Sequence, residues 1–385
     1  MRNLFLLISI FPFIFLNSCK AYVYESSDSD LYYYVVRYNS ASQRIDRVTV
    51  NSVLNTTHLY VYAESGYNYN LENIKQVTTK FEDKYNQMTG IYGAHTDVDK
   101  NGKIKLLFVD INGNNSGDSL VMGYFLPSDL IYGSANNGEI LYMDINLLNS
   151  SPEVITGTVL HEFQHLINFN VNYLQKGKDM SLWLNECLSE STSVLFDENI
   201  IKSRINEFNH IYYYCFYTWN LPYPYNNLFV NYPSASIFMN WLYIKNNRNS
   251  DIFKNIAKST ESEDYNKVLK SVSGSSTWGA LLTDWINGVK DKNEVPNAKI
   301  NIYPYTVNLY PGALIYDGSQ VRVNSSTELT NLSEAAIRVS KANSISGRSA
   351  INNNEEEEIS LQSVNNNKPK YIDLVFDKDG KIRKY

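Results

Sequence analysis

A histidine and glutamate motif on a stretch with helical periodicity restricts this chain more than any other feature. His161, Glu162 and His165 form the pattern His-Glu-x-x-His within residues 158–169. Histidines four positions apart share one face of a helix, so both imidazoles can bind one Zn²⁺ while Glu162 reaches a water on that ion. The chain has only five histidines, which makes this spacing around a glutamate rare by chance. The motif therefore predicts a zinc-binding helix.

The apolar residues around the motif have the same periodicity. Leu160, Phe163 and Ile167 recur at helical spacing and would bury one side of the helix in a core. The zinc ligands would then project from a rigid element. The alternative is a surface helix with two ordinary histidines, and this apolar stripe argues against it.

A catalytic zinc with two histidines and a water lacks one protein ligand. Glu186 follows His165 by 186 − 165 = 21 residues and lies in a second helical pattern at residues 181–190. That interval allows the first helix to end and the chain to return alongside it. We expect Glu186 to be the third ligand, and Glu190, one turn later, to accept a hydrogen bond from the outer N–H of a bound histidine. The alternative for both glutamates is a solvated helix surface.

The segments HEFQHLINF and WLNECLSE resemble those of the hyicolysin-type bacterial zinc metallopeptidases, in the gluzincin group. The resemblance implies that His161 and His165 are zinc ligands. It also implies that Glu162 is the catalytic base and that Glu186 is the third ligand. The family motif is Asn-Glu-Gly-x-x-Glu, whereas this chain has Cys187 in place of the glycine. That side chain either fills a gap in the core or crowds the site.

The pattern of elements predicts an α+β protein, and the resemblance implies a zincin-like metallopeptidase fold. Residues 50–150 mix helical and strand patterns and should form a half with a mixed β-sheet. Residues 151–292 should be mainly helical, and residues 293–385 should form a small β-rich C-terminal module. We expect the metal in the cleft between the first two parts.

Competing zinc-peptidase patterns can be checked directly. The long motif HExxHxxGxxH would need glycine at 168 and histidine at 171, where the chain has Asn168 and Val171, so a metzincin is excluded. The chain also has no Gly-x-Met-Glu-Asn segment, which is expected of gluzincin aminopeptidases. Its absence favours an endopeptidase.

The donor that stabilises charge on the carbonyl oxygen is ambiguous, because the chain has 31 tyrosines. Related enzymes usually supply a Tyr or His from a following helix. Tyr232 is preferred because it opens a helix-like segment. The other candidates are Tyr212, Tyr213, Tyr214, Tyr217 and His210. A packing role explains any one of them better than the donor role does, so the sequence leaves the role unassigned.

Two segments before the motif have open interpretations. Residues 139–144 can be an edge strand that pairs with an extended peptide substrate, or an ordinary strand of the sheet. Asp97, Asp99, Asn101 and Gly102 resemble the start of a calcium loop, but the twelfth position is Phe108 where an EF-hand needs a glutamate. A turn between strands explains this second segment better.

The N-terminus predicts export. Residues 1–18 have a short basic start, an apolar run too short to span a bilayer comfortably and a lipobox-like end, which is typical of a lipoprotein signal peptide. Cys19 would then carry lipid, and residues 19–49 would form a tether and lead-in. Plain secretion is the alternative. One bridge between Cys187 and Cys215 is possible in an exported protein.

Composition narrows the class of partner. The chain is 43% hydrophobic, and its net charge of −6 without a basic stripe argues against nucleic acid as a partner.

The leading hypothesis is a lipid-anchored, extracytoplasmic zinc endopeptidase of the bacterial cell envelope. It would act on proteins or peptides and would contact the membrane only through its N-terminal lipid. The main alternative is a surface lipoprotein with this fold that has lost activity and acts in binding or adhesion. A zinc hydrolase of non-peptide amides would share the same site.

Overall fold

The computed structural model describes residues 5–7, 31–39, 42–113, 119–131, 134–217, 219, 228–272, 277–304, 313–323, 375–376 and 382–383. The described part is mixed α/β, with a curled sheet and surrounding helices. The predicted signal peptide cleavage site and the lipidation site at Cys19 lie outside these residues. No helix in the described ranges is long and apolar enough to cross a membrane.

Among the described residues, the first part of the chain has eight strands. They are β1 (Phe5–Leu7), β2 (Tyr32–Asn39), β3 (Ser42–Asn55), β4 (Leu59–Glu64), β5 (Ile104–Val109), β6 (Ser119–Val121), β7 (Gly123–Phe125) and β8 (Ile140–Asp144). Six of them form one sheet in the order β2-β3-β4-β5-β8-β7, and β1 pairs with β6. The sheet therefore begins at Tyr32, within the segment that we expected to be a tether and lead-in.

The middle of the sheet is parallel and its two sides are antiparallel. β5 pairs in parallel with β4 and β8, whereas β7 is antiparallel to β8. A parallel strand covered on both faces needs a continuous apolar run, and β5 has the sequence IKLLFV. The sheet curls so that its ends approach each other, since the backbone N–H of Val36 on β2 donates to the hydroxyl of Tyr124 on β7 at 2.8 Å.

The edge-strand interpretation of residues 139–144 is wrong. β8 has β5 on one side and β7 on the other, so its backbone groups are already paired. β7 is the outer strand of the six-stranded sheet. One edge of β7 pairs with β8, and its other edge faces away from the sheet. The order of strands in a sheet depends on long-range contacts, which local sequence patterns do not encode.

The helices are α1 (Leu71–Tyr92), α2 (Ile145–Ser150), α3 (Pro152–Asn168), α4 (Leu182–Phe196), α5 (Glu198–Phe208), α6 (Leu228–Lys245), α7 (Asp251–Lys258), α8 (Asp264–Ser271) and α9 (Trp278–Lys292). A 3₁₀ turn covers Pro127–Leu130, and a π-helical segment at Phe169–Leu174 continues α3. Later come the antiparallel pair β9 (Leu314–Tyr316) and β10 (Val321–Val323), and the pair β11 (Val375–Phe376) and β12 (Ile382–Arg383).

Helix α3 lies at the centre of the molecule. It packs against α1, α4, β7 and β8, and every residue from 155 to 168 is buried. The burial thus extends around the whole helix, beyond the single apolar side that the sequence predicted. Gly157 allows α5 to approach, because a Cβ at this position would lie 2.2 Å from Ile200 Cδ1. The motif helix is consequently held in place from several directions.

Candidate metal centre

Helix α3 places both histidines of the motif at one buried point. His161 and His165 are 1% and 6% exposed, and their Nε2 atoms lie 3.1 Å apart. Both rings present the same nitrogen toward one another because residues four apart lie one above the other on a helix. Two nitrogen donors therefore converge on a small volume in the interior.

Helix α4 adds Glu186 to this point. Its Oε2 atom lies 3.4 Å from His161 Nε2 and 3.6 Å from His165 Nε2. Zinc bonds of 2.0–2.1 Å at tetrahedral angles put ligand atoms about 3.3 Å apart, and the three observed separations are close to that value. Oε2 is buried and makes no hydrogen bond within the described residues. The three separations thus fit the ligands of one zinc ion.

Glu162 lies at the same point in a different environment. One of its carboxylate oxygens lies within 4.8 Å of a ring nitrogen of each histidine, and the carboxylate accepts a hydrogen bond from the backbone of Phe125 on β7. Burial raises the pKa of Glu162, and the imidazoles of His165 and His161 partly oppose this. A carboxylate with a raised pKa beside the ligands suits a general base more than a fourth ligand.

The outer nitrogens of the two imidazoles have different partners. His165 Nδ1 lies 3.1 Å from both Asn185 Oδ1 and Ser189 Oγ. His161 Nδ1 lies 3.6 Å from Glu190 Oε1, which is beyond direct hydrogen-bond distance. The predicted acceptor is therefore next to the predicted ring, but the contact is longer than the sequence interpretation assumed.

Glu190 has a stronger partner that sequence reasoning missed. Arg204 on α5 is 1% exposed and binds the Glu190 carboxylate at two points, Nε to Oε2 at 2.8 Å and Nη2 to Oε1 at 3.0 Å. Its Nη1 also lies 3.0 Å from Glu207 Oε2. Burial alone would lower the pKa of Arg204, but the two carboxylates outweigh it and raise that pKa. The α5 segment resembles a charged surface helix in sequence, so nothing indicated a buried arginine.

Tyr232 is the oxyanion-donor candidate that lies beside the centre. It is 1% exposed, its ring centroid is 6.4 Å from that of His161, and the Arg204 guanidinium lies 4.8 Å from the ring centroid. Burial raises the pKa of Tyr232 well above 10, and the carboxylates of Glu186 and Glu190 raise it further. The phenol therefore stays neutral and keeps its O–H to donate.

The other candidates have contacts elsewhere. The hydroxyl of Tyr214 accepts a hydrogen bond from Asn301 N at 2.7 Å, and Tyr217 packs against Trp278. Tyr213 is buried in the core of the helical part, whereas Tyr212 and His210 are exposed. None of these residues has a described contact with the motif.

A second tyrosine near Glu162 was not anticipated. Tyr38 on β2 has a buried hydroxyl, and its pKa is raised first by burial and then by the charge of Glu162. Because strand β2 curls back toward β7, the charge of Glu162 acts on a residue more than 120 positions before the motif. No local sequence signal distinguishes Tyr38 from the other tyrosines.

Cys187 is fully buried and belongs to the same apolar core as the residues around α3 and α4. Burial raises the pKa of its thiol well above 9, so the group stays protonated and inert. Both Cys187 and Cys215 are free cysteines, and the possible bridge between them is absent. The position of Cys187 in the core agrees with the gap-filling interpretation of the glycine replacement.

Comparison with known proteins found a distant metalloprotease relative. No family model matches the chain. A neutral metalloprotease, ShpI, from Staphylococcus hyicus is 25% identical over 271 residues, which cover 64% of this chain and 61% of that protein. The chain thus spans less than two thirds of the length of this relative. The similarity indicates a distant relationship to a metalloprotease and implies a metal cofactor.

Proposed function

We propose that this protein is a zinc-dependent metallopeptidase that hydrolyses internal peptide bonds. The observation that supports this most directly is the convergence of His161 Nε2, His165 Nε2 and Glu186 Oε2 within 3.1–3.6 Å at a buried point. The distant metalloprotease relative agrees with it. A bound zinc would polarise the peptide carbonyl and lower the pKa of its water to about 7.

Glu162 is the proposed proton carrier of the reaction. Its carboxylate takes the proton of the attacking water and returns it to the leaving amine nitrogen. Burial raises its pKa, which brings the group closer to the operating pH and makes both transfers easier. The hydrogen bond from the backbone of Phe125 holds one side of the carboxylate in place.

Tyr232 is the proposed donor to the oxyanion. It lies beside His161, and its raised pKa keeps the O–H in place as negative charge develops on the carbonyl oxygen. The Arg204 guanidinium over its ring restricts the orientation of the side chain. Tyr38, on the side of Glu162, is the alternative donor.

The strand β7 is the proposed binding element for the substrate backbone. It is the outer strand of the six-stranded sheet and adjoins α3. An extended peptide that adds to this strand by backbone hydrogen bonds would pass close to Glu162, which already contacts Phe125. We also propose that the protein is exported and anchored to the cell envelope through lipid on Cys19, on the basis of its N-terminal sequence.

The base assignment is tested with Glu162→Gln, which keeps the shape of the side chain and removes its basicity. We expect zinc content to stay at one ion per chain while turnover of a denatured protein substrate falls by about 10²–10⁴-fold. Glu153→Gln is the matched control, because this exposed glutamate lies in the first turn of the same helix. Equal turnover in both variants would remove Glu162 as base. A zinc-loaded but inactive wild type would favour the binding or adhesion alternative.

A further inference from the structure

Three carboxylates from two separate segments meet at the N-terminal end of β8. Asp97 and Asp99 lie in the turn that leads from α1 into β5, and Glu139 immediately precedes β8. Each of them offers an oxygen within 4.8 Å of the others. We call these three residues the carboxylate cluster. The turn connects a helix to a strand, so the expectation of a turn between two strands is corrected.

Glu139 is the residue that makes the cluster more than an acidic turn. Its side chain is 0% exposed, and its Oε1 accepts a hydrogen bond from Val98 N at 2.8 Å. Its Oε2 is buried and has no hydrogen-bond partner among the described residues. A buried carboxylate oxygen without a partner is costly, and a cation between the three carboxylates would remove that cost.

The turn has the ligand order of a calcium loop as far as its sixth position. Asp97, Asp99 and Asn101 occupy positions 1, 3 and 5, and Gly102 at position 6 has φ of +74°, a left-handed conformation that favours glycine. Position 12 is Phe108, which is fully buried in the core and has no oxygen to offer. Glu139 brings a carboxylate to the same place from another segment.

We propose that the carboxylate cluster binds one Ca²⁺, with Glu139 in the role of the missing carboxylate at the end of the loop. The available donors are all oxygens, which hard cations prefer and zinc does not. Lys105 Nζ contacts Asp99 Oδ2 at 2.5 Å, so the formal charge of the site is −3 + 1 = −2. That charge matches one divalent ion.

Calcium at this point would join two parts of the sheet. It would tie the turn before β5 to the start of β8, where the backbone N–H of Lys105 already donates to Glu139 O at 2.7 Å. His95, two residues before Asp97, has its ring centroid 5.9 Å from that of Phe163 on α3. The expected role is stabilisation of the scaffold, separate from the peptidase chemistry.

Calorimetric titration of the zinc-loaded protein with CaCl₂ tests the site. We expect one Ca²⁺ per chain, a rise in unfolding temperature and much weaker binding of Mg²⁺, which demands stricter octahedral geometry. Asp97→Asn and Glu139→Gln should each weaken Ca²⁺ binding by at least about tenfold. Asp291→Asn, which removes an exposed carboxylate paired with Lys290, should bind Ca²⁺ like the wild type.

The absence of saturable Ca²⁺ binding, equal affinity for Mg²⁺, or wild-type affinity in both cluster variants would overturn the proposal. Asp97 is exposed, so Asp97→Asn decides the question if the buried Glu139→Gln variant does not fold. The Glu162→Gln protein should bind Ca²⁺ normally. The calcium result is therefore independent of whether the peptidase function is correct.

Discussion

The proposed zinc ligands project from two buried helices, whereas the proposed calcium ligands lie on a turn and on the residue before a strand. In the first region, packing of α3 against α4 sets the distances between the donor atoms, and two of the donors are nitrogens. In the second region the donors are oxygens, and one of them, on Asp97, is exposed. From this difference we expect the proposed zinc site to be formed by the fold itself, and the carboxylate cluster to depend partly on the proposed Ca²⁺.

The largest effect expected from this comparison is at Glu186. Glu186→Ala removes a ligand from a preformed site, so zinc affinity should fall by more than the roughly 10–100-fold that is typical of residues behind the ligands. The fold should persist, because the helices pack through other residues. Zinc content after dialysis and circular dichroism measure the two properties. A variant that retains zinc with wild-type affinity would contradict the assignment of Glu186.

The second effect tests which tyrosine serves the zinc centre. Tyr232→Phe should lower kcat by about 10²–10³-fold with little change in KM, because loss of an oxyanion donor acts on the transition state. Tyr38→Phe is the matched comparison, since both hydroxyls are buried near the centre. A large loss of kcat in Tyr38→Phe and none in Tyr232→Phe would transfer the role to Tyr38.

The third effect concerns Arg204, which the sequence did not reveal. Arg204→Met leaves Glu190 buried without its ion-pair partner, which should cost about 3–5 kcal/mol of folding free energy. Zinc affinity should fall by about 10–100-fold, because Glu190 faces His161. Urea unfolding and a competitive zinc chelator measure the two losses. Lys202→Met is the control. Lys202 lies on the same helix but is 64% exposed and pairs only with Glu198 among the described residues. A loss of the same size in this variant would contradict the special role of Arg204.

These two regions also show what the sequence can predict. Residues 161 and 165 could be selected because helical periodicity relates sequence spacing to a shared face. Residue 186 could be selected because it follows at an interval that lets a second helix return alongside the first, and because its segment resembles the family motif. The structure brings these side chains together, and their role as zinc ligands stays a prediction. The α+β class could also be predicted from local patterns. In the described residues, a sheet of parallel and antiparallel strands comes first and is followed mainly by helices.

The residues that escaped prediction are those brought in by long-range packing. Tyr38 lies on a strand that approaches β7 only because the sheet curls, and burial and the charge of Glu162 both raise its pKa. Glu139 completes a turn located about 40 residues earlier, so the incomplete loop motif looked like an ordinary turn. The edge-strand prediction for residues 139–144 failed for the same reason, because the sequence pattern of a strand does not reveal which strands lie beside it. Lipid anchoring through Cys19 is a prediction from local sequence that the described residues do not test.

The smallest expected effect is a pH dependence of the stability of the metal-free protein, which arises at the proposed zinc site. Burial tends to lower the pKa of His165, but the neighbouring carboxylate of Glu186 outweighs it and raises that pKa from 6.5 to about 9. Between these two values the folded metal-free protein binds more protons than the unfolded chain, so its stability should fall as pH rises from 6.5 to 9. The raised pKa of Glu162 acts in the same direction at its own titration. Urea midpoints of the chelator-treated protein at both pH values measure this fall.

The zinc-loaded protein provides the opposite result in the same experiment. Zinc binds the neutral imidazole, so metal binding releases a proton and strengthens as pH rises over the same interval. The urea midpoint of the loaded protein should therefore rise, or at least not fall, between pH 6.5 and 9. His210→Gln, which changes an exposed histidine whose ring nitrogen lies beside Asn206 O, should leave both slopes unchanged. A urea midpoint of the metal-free protein that rises with pH would show that no proton is held between His165 and Glu186. It would contradict the raised pKa of His165 on which this prediction depends.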